Sequence, residues 1–299
     1  MKQVSRISFY DQISRNKRNS FILLFLIFAV FVLLGYVIGK IYEGYFFFIM
    51  ILSIVISLSY ILLGYYNSDK IALASVKAVP ATREEFPGYH NLVEGLCIAS
   101  GMPKPRLYIM DSNQINAFAT GRDPKHAVIC VTTGCLDKLN KVELEGVLAH
   151  ELSHIANFDI RFMTLTAVLV GMIAIISELF LRSLWFRSSD SDRGGRMKAL
   201  LIIAGILLAI LAPIFTQLVQ LAISRKREYM ADATGVKLTR YPKGLANALR
   251  KISGEHTPEK RASHALAPLF ISDPFKRKIS GLFMTHPPIT RRIEILERM

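Results

Sequence analysis

What most limits the fold of this chain is a pair of long apolar runs near its N-terminus that carry no charge. They are Ser20 to Gly39 (SFILLFLIFAVFVLLGYVIG) and Tyr45 to Tyr66 (YFFFIMILSIVISLSYILLGYY). A helix needs about 20 predominantly apolar residues to cross the hydrocarbon core of a bilayer, and each run reaches that length. Further along, Met163 to Leu181 is a weaker segment, interrupted near its end by Glu178. Ala199 to Ser224 is again uncharged, with Pro213 inside it, which membrane helices tolerate. In a chain of 299 residues that is 52% hydrophobic, four such segments predict a multi-pass membrane protein. The first run is too long for a signal peptide and lacks a small-x-small cleavage site, so it reads as an anchor.

Basic residues set the expected orientation. Lys2, Arg6, Arg15, Lys17 and Arg18 precede the first run, which places the N-terminus in the cytoplasm. The second run brings the chain back, so 67–162 is expected to be cytoplasmic, and Arg225-Lys226-Arg227 marks the same side again. The loop from Arg182 to Lys198 runs against this, with five basic residues and only Asp190 and Asp192 to offset them. Segments three and four therefore either cross the bilayer or dip into it as a hairpin. The predicted division is 1–66, tail and two membrane helices; 67–162, first soluble part; 163–224, two further membrane segments; and 225–299, second soluble part.

The formal charge of +14 comes from scattered and juxtamembrane residues. Attraction to anionic lipid headgroups explains it, and no nucleic-acid-binding signature accompanies it. Cys97, Cys130 and Cys135 are odd in number and lack C-x-x-C spacing, as expected of packed, reduced thiols.

Within the first soluble part, Glu84 to Gly101 has helical spacing and ends on Ser-Gly. "PRLYIMD" (105–111), "NAFATG" (116–121) and "HAVICVTTG" (126–134) read as three short strands separated by turn residues. In "NKVELEGVLAHELSHIANFD", Asn140 is a candidate N-cap with Glu143 three residues on, the capping-box spacing. Leu144, Val147, Leu148, Leu152 and Ile155 then form one apolar stripe, so His150 and His154 lie on a helix. The soluble part is thus α+β.

Residues four apart on a helix project from one face, so both histidines can reach a single ion. Tetrahedral zinc takes imidazole nitrogens at about 2.0–2.1 Å, and Glu151 sits one step round, beside a metal-held water without ligating it. A catalytic site still needs a third protein ligand and an open position. Asn157 and Ile160 stand where an H-x-x-G-x-x-H continuation would need Gly and His. A second helix must contribute, and "SRKREYMADATG" (224–235) offers Glu228 and Asp232, four apart. One reading makes them a ligand and a carboxylate that orients a ligand histidine; the other makes them solvated charges opposite Arg225 and Arg227. Two apolar segments separate His154 from Glu228, so both ends emerge on the same side whether the segments span or dip.

"NAFATG", "HELSH", "EYMADATG" and "THPPITRR", in this order among four apolar segments, resemble the HtpX family of membrane zinc metalloproteases, relatives of the CAAX prenyl proteases. The likeness covers essentially the whole chain. It implies a membrane α-helical protein with an α+β zincin-like cytoplasmic domain assembled from two chain segments, one zinc ion per chain, and a bacterial inner-membrane location. By the resemblance Glu228 is the third ligand beside His150 and His154, Asp232 orients a ligand histidine, and Asn116 and Ala117 belong to an edge strand that pairs with substrate backbone. His286 and Arg292 are implied near the metal, steadying the oxyanion or the Glu228 carboxylate. Glu151 is the expected general base. The implied partners are polypeptides, unfolded or membrane-embedded, and the lipid bilayer. Two other functions fit parts of the pattern: a prenyl-protein processing protease, for which four segments are few to enclose a chamber, and a non-proteolytic zinc-stabilised scaffold. His90, His126, His256 and His264 lack ligand spacing, Asp159 either joins the site or caps the helix turn, and Ser253 to Ala265 has the composition of a lid.

Overall fold

The computed structural model describes residues 9–41, 43–166, 225–255, 269–272 and 287–299. Two long helices open the chain, α1 (Phe9–Ile41) and α2 (Phe46–Ser75). Both exceed the apolar runs that predict them: α1 starts within the basic leader, and α2 continues nine residues past Tyr66. Asn67 explains the second extension. Its backbone leaves helical geometry and its side chain donates to the Leu63 carbonyl at 3.1 Å. Beyond this kink, buried Ala72 and Leu73 pack onto a sheet. Before it, Phe47, Phe48, Ile51 and Leu63 are exposed, as lipid-facing side chains are. Gly35 lets the two helices close on each other, since a Cβ there would stand 2.2 Å from Ser53 Oγ. Small residues at such crossings let membrane helices pack backbone to backbone.

Both helices are long and apolar enough to cross a membrane. Of the two later segments, only 163–166 falls within the described residues and is helical. The rest of Met163 to Leu181, the 182–198 loop and Ala199 to Ser224 lie outside them, as do 256–265 of the expected lid.

The sheet contains β1 (Val79–Pro80), β2 (Arg106–Met110), β3 (Ala117–Gly121) and β4 (Ala127–Thr132), in the order β1-β2-β4-β3. β2 and β4 run parallel; the other two pairs are antiparallel. The three expected strands thus form, with a two-residue β1 added. β4 is central and covered on both faces, so its sequence AVICVT reads as a continuous apolar run. Alternation splits its side chains between two cores. Ala127, Ile129 and Val131 face one with α3 (Pro87–Ser100), while Val128 and Cys130 face the other with the end of α2. Of the expected strand's final "TTG", only Thr132 belongs to β4, and Thr133 and Gly134 do not. These two open α4 (Thr133–Lys138), where Thr132 Oγ1 accepts from the Cys135 amide at 3.1 Å and turns the chain. All three cysteines are buried and free.

The helix carrying the histidines is α5 (Lys141–Ala156). Its capping box is complete: Asn140 Oδ1 accepts from the amides of Val142 and Glu143, and Glu143 Oε2 accepts from the Asn140 amide at 2.9 Å. Leu144, Val147, Leu148, Leu152 and Ile155 are all buried. The second soluble part adds α6 (Arg225–Thr239), α7 (Pro242–Gly254) and α8 (Ile289–Leu296). α6 lies directly on α5 because Gly235 faces the turn bearing His150: a Cβ there would come within 3.1 Å of the His150 amide nitrogen.

Candidate metal centre

Across that tight helix contact, Glu228 of α6 meets His150 and His154 of α5. Among the described residues, these three side chains form the one group of His, Cys, Asp and Glu able to hold a metal ion, with ligand atoms all within 4.8 Å of one another. The two Nε2 atoms face each other at 3.2 Å. Glu228 oxygens stand 3.5 Å from His154 Nε2 and 3.7 Å from His150 Nε2. A tetrahedral ion at about 2.0–2.1 Å from each donor requires donors separated by about 3.3–3.4 Å, so the spacing fits. All three side chains are buried.

Each imidazole has its far nitrogen tied to a carboxylate, which leaves Nε2 directed inward. His150 Nδ1 donates to Asp232 Oδ1 at 2.9 Å, and His154 Nδ1 donates to Asp159 Oδ2 at 3.0 Å. Asp159 therefore joins the site. Its approach depends on the turn after α5, where Phe158 adopts a φ of 57°, unusual for a bulky residue. Asp159 also accepts from Asn16 Nδ2 of α1 at 2.6 Å and faces Arg227 Nε at 3.4 Å.

Arg292 of α8 is fully buried. It donates to both oxygens of Asp232, from Nε at 2.9 Å and from Nη2 at 2.6 Å, and to the Ile271 carbonyl from Nη1 at 3.2 Å. Its Nη1 also stands 3.5 Å from Glu228. Such a fork matches a carboxylate in a way lysine cannot. Arg292 thus meets both Glu228 and Asp232. His286, implied alongside it, lies outside the described residues, as do His256 and His264. His90 and His126 make local contacts with the Ala81 carbonyl and Asp123.

The electrostatics follow from burial and these pairings. Burial opposes the ionisation of Asp232, but Arg292 and His150 outweigh it and hold the carboxyl well below the usual range. For His150, burial and the Arg292 charge favour the neutral ring. Burial also opposes the His154 cation, yet the hydrogen bond to Asp159 and the charge of Glu228 lift it to about 9. Glu151 is pushed up to about 7, chiefly by burial, with Glu228 adding to the rise and His154 and Arg292 opposing it. Both Glu151 carboxyl oxygens are buried without a hydrogen-bond partner of ordinary geometry among the described residues. The backbone amide of Ala119 on β3 acts weakly in the opposite sense, favouring the charged carboxylate. An orphaned buried carboxyl is costly unless something else occupies its surroundings.

Asn116 and Ala117 sit at the outer edge of β3, and the chain itself pairs there. The Ile271 amide donates to the Ala117 carbonyl at 2.9 Å, and Asn116 Nδ2 donates to the Ser272 carbonyl at 3.2 Å. Phe118 and Phe270 form an antiparallel bridge, their rings 5.0 Å apart. Sequence alone offered no signal for this pairing, nor for the reach of Asn16 to Asp159.

A family model described as peptidase family M48 matches residues 84–299. A protein described as "Protease HtpX homolog" from Thermoanaerobacter pseudethanolicus is 46% identical over 303 positions, covering 99% of both chains. One from Dictyoglomus thermophilum is 46% identical over 295 positions, covering 98% of this chain and 95% of that one. Among solved structures, the crystal structure of S. mikatae Ste24p superposes with a TM-score of 0.52 at 20% identity. The match covers 95% of this chain and 66% of that one, a likeness of fold.

Proposed function

The chain belongs to peptidase family M48 as an HtpX-type membrane metalloprotease, and from that premise we propose that it is a zinc endopeptidase that cleaves unfolded or damaged membrane proteins at the cytoplasmic face. His150, His154 and Glu228 would hold one ion per chain. The observation that carries the reading is the orphaned Glu151 carboxyl, buried beside a histidine–histidine–glutamate triangle whose spacing suits a tetrahedral ion.

When bound, zinc supplies Lewis-acid polarisation and brings the acidity of water toward neutrality. The residues do the rest. Asp232 and Asp159 fix the tautomer and angle of the two histidines. Arg292 neutralises the carboxylates of Asp232 and Glu228 so that three acidic groups can share one buried pocket. Glu151, whose carboxyl is not consumed by structural hydrogen bonds, accepts a proton from the attacking water and passes it to the leaving nitrogen. That free carboxyl also weighs against a zinc-stabilised scaffold, which has no use for an unpaired buried acid. Asn116 acts at one remove, holding residues 271–272 against the start of β3. A substrate strand then continues the edge at Ala119, next to Glu151.

Support for the membrane setting comes from the exposed apolar flanks of α2 and from the basic residues before the first run. In this reading 67–162 and 225–299 are two parts of one cytoplasmic metalloprotease domain, linked in sequence through the two further apolar segments. The test is purification in detergent, metal analysis by mass spectrometry, and casein cleavage with and without a chelator. Stoichiometric zinc with chelator-sensitive cleavage supports the reading; metal-free protein that cleaves equally well contradicts it.

A further inference from the structure

The N-terminal turns of α1 precede the apolar run, and their sequence suggests nothing beyond a basic flank. Yet Asn16 is buried there, while its neighbours Lys17 and Arg18 are exposed. Its side-chain amide donates to Asp159 Oδ1 at 2.6 Å and to the Asn157 carbonyl at 3.0 Å. One amide group therefore clamps both sides of the turn at Phe158. That turn carries strain: a bulky residue with positive φ persists only where its surroundings over-determine it. The next residue of α1 completes the restraint, with Lys17 Nζ 4.5 Å from the centre of the Phe158 ring. Arg161 stands over the same ring at 5.5 Å. The product of the turn is the placement of Asp159, whose other oxygen accepts from His154 Nδ1 at 3.0 Å.

We propose that α1 shapes the metal centre, with Asn16 acting as a positioning residue on His154 through Asp159, so that the site takes its geometry only while the first membrane helix is docked. This rests on His150, His154 and Glu228 being the zinc ligands. Partners of a ligating histidine typically govern metal affinity by 10–100-fold. Asn16 is one hydrogen bond further out, so its removal belongs near the low end, at about tenfold.

The experiment uses the full-length chain in detergent micelles, with Asn16→Ala, Asp159→Ala, their double variant, and Ser14→Ala as an exposed control on the same helix. The readouts are zinc affinity by chelator competition and the visible absorption of the cobalt-substituted protein, which reports ligand geometry. Asn16→Ala is expected to weaken zinc about tenfold and to shift the cobalt bands. On the Asp159→Ala background the same change adds little, because its route to the metal is already cut. Ser14→Ala changes neither. Asn16→Asp keeps the shape of the side chain and removes the donor, so it should behave like Asn16→Ala even if alanine loosens the helix. Wild-type zinc affinity and cobalt spectrum in Asn16→Asp would overturn the proposal, as would losses that multiply fully in the double variant. His154→Ala separates this from the underlying reading. If it abolishes zinc binding while the Asn16 variants are silent, only the role of α1 fails; if it keeps full zinc, the ligand assignment fails.

Discussion

Arg292→Met removes the cation from the most completely buried ion pair in the site. The guanidinium makes two hydrogen bonds to Asp232, at 2.9 and 2.6 Å, and lies 3.5 Å from Glu228. Methionine fills a similar volume, so the change reports mainly the lost charge and donors. Breaking a buried pair by deleting one partner costs about 3–5 kcal/mol, because the other charge stays buried and uncompensated. At about 2–4 °C per kcal/mol for a domain of 150–250 residues, the metal-stripped variant should melt about 6–20 °C below the stripped wild type. Bound zinc is itself a large local positive charge beside Glu228 and close to the Asp232–His150 pair. The zinc-loaded variant should therefore lose less than half as much. Arg292→Lys should recover only part of the loss, because an ammonium cannot make two parallel bonds to one carboxylate. The assay is thermal unfolding in detergent, each protein run with zinc and with chelator. An equal loss in both states, or no loss in the stripped state, would refute the view that Arg292 is the charge partner of the carboxylates at this site.

Gly235→Ala pushes a methyl to 3.1 Å from the His150 amide nitrogen, so α6 must shift by a few tenths of an ångström and carry Glu228 away from the histidines; zinc affinity should fall at least tenfold, on the scale of an outer-shell change, as chelator competition would show. Glu228→Ala should abolish stoichiometric zinc, whereas Glu255→Ala should leave it intact. Glu255 instead accepts from the Ile115 amide at 2.7 Å and from Lys138 at 2.6 Å, so its loss should appear as a lower melting temperature worth about 1.5–3 kcal/mol. Because His154 is lifted to about 9, it is a cation near pH 7 in stripped protein and must lose a proton to ligate; zinc affinity should rise about tenfold per pH unit between pH 6.5 and 8.5, and a flat profile would contradict this. The sign for the stripped protein is the opposite: a raised folded pKa stabilises fully below the unfolded value and is lost as pH rises through about 9.

Legibility in the sequence tracks how local each determinant is. The helix bearing His150 and His154 can be read from its capping box, its apolar stripe and its i, i+4 spacing, all within twenty residues. β2, β3 and β4 can be read too, though not α4, because Thr132 serves both as last strand residue and as helix cap. Glu228 and Asp232 are visible as a pair, but their pairing with α5 depends on Gly235 and on helix packing that no local pattern encodes. Asp159 stays ambiguous in sequence because its role requires Phe158 to turn the chain with positive φ. Asn16 is illegible for another reason: it acts across 143 residues, from within a stretch whose charges already have a sufficient explanation. The pairing of 270–272 with β3 is likewise a long-range event, and it closes an edge that appears open in sequence.

The central claim is that Glu151 is a base held beside a metal site and is not part of the scaffold that builds it. Glu151→Gln tests this most directly, since glutamine keeps the shape and can still donate or accept a hydrogen bond but cannot take up the proton. The measurement is zinc per chain and casein cleavage rate on one preparation each of wild type and variant. The account predicts one zinc per chain in both, with cleavage lower by at least the 10²–10⁴-fold typical of general-base catalysis. A zinc-loaded variant that cleaves at a near-normal rate would contradict it.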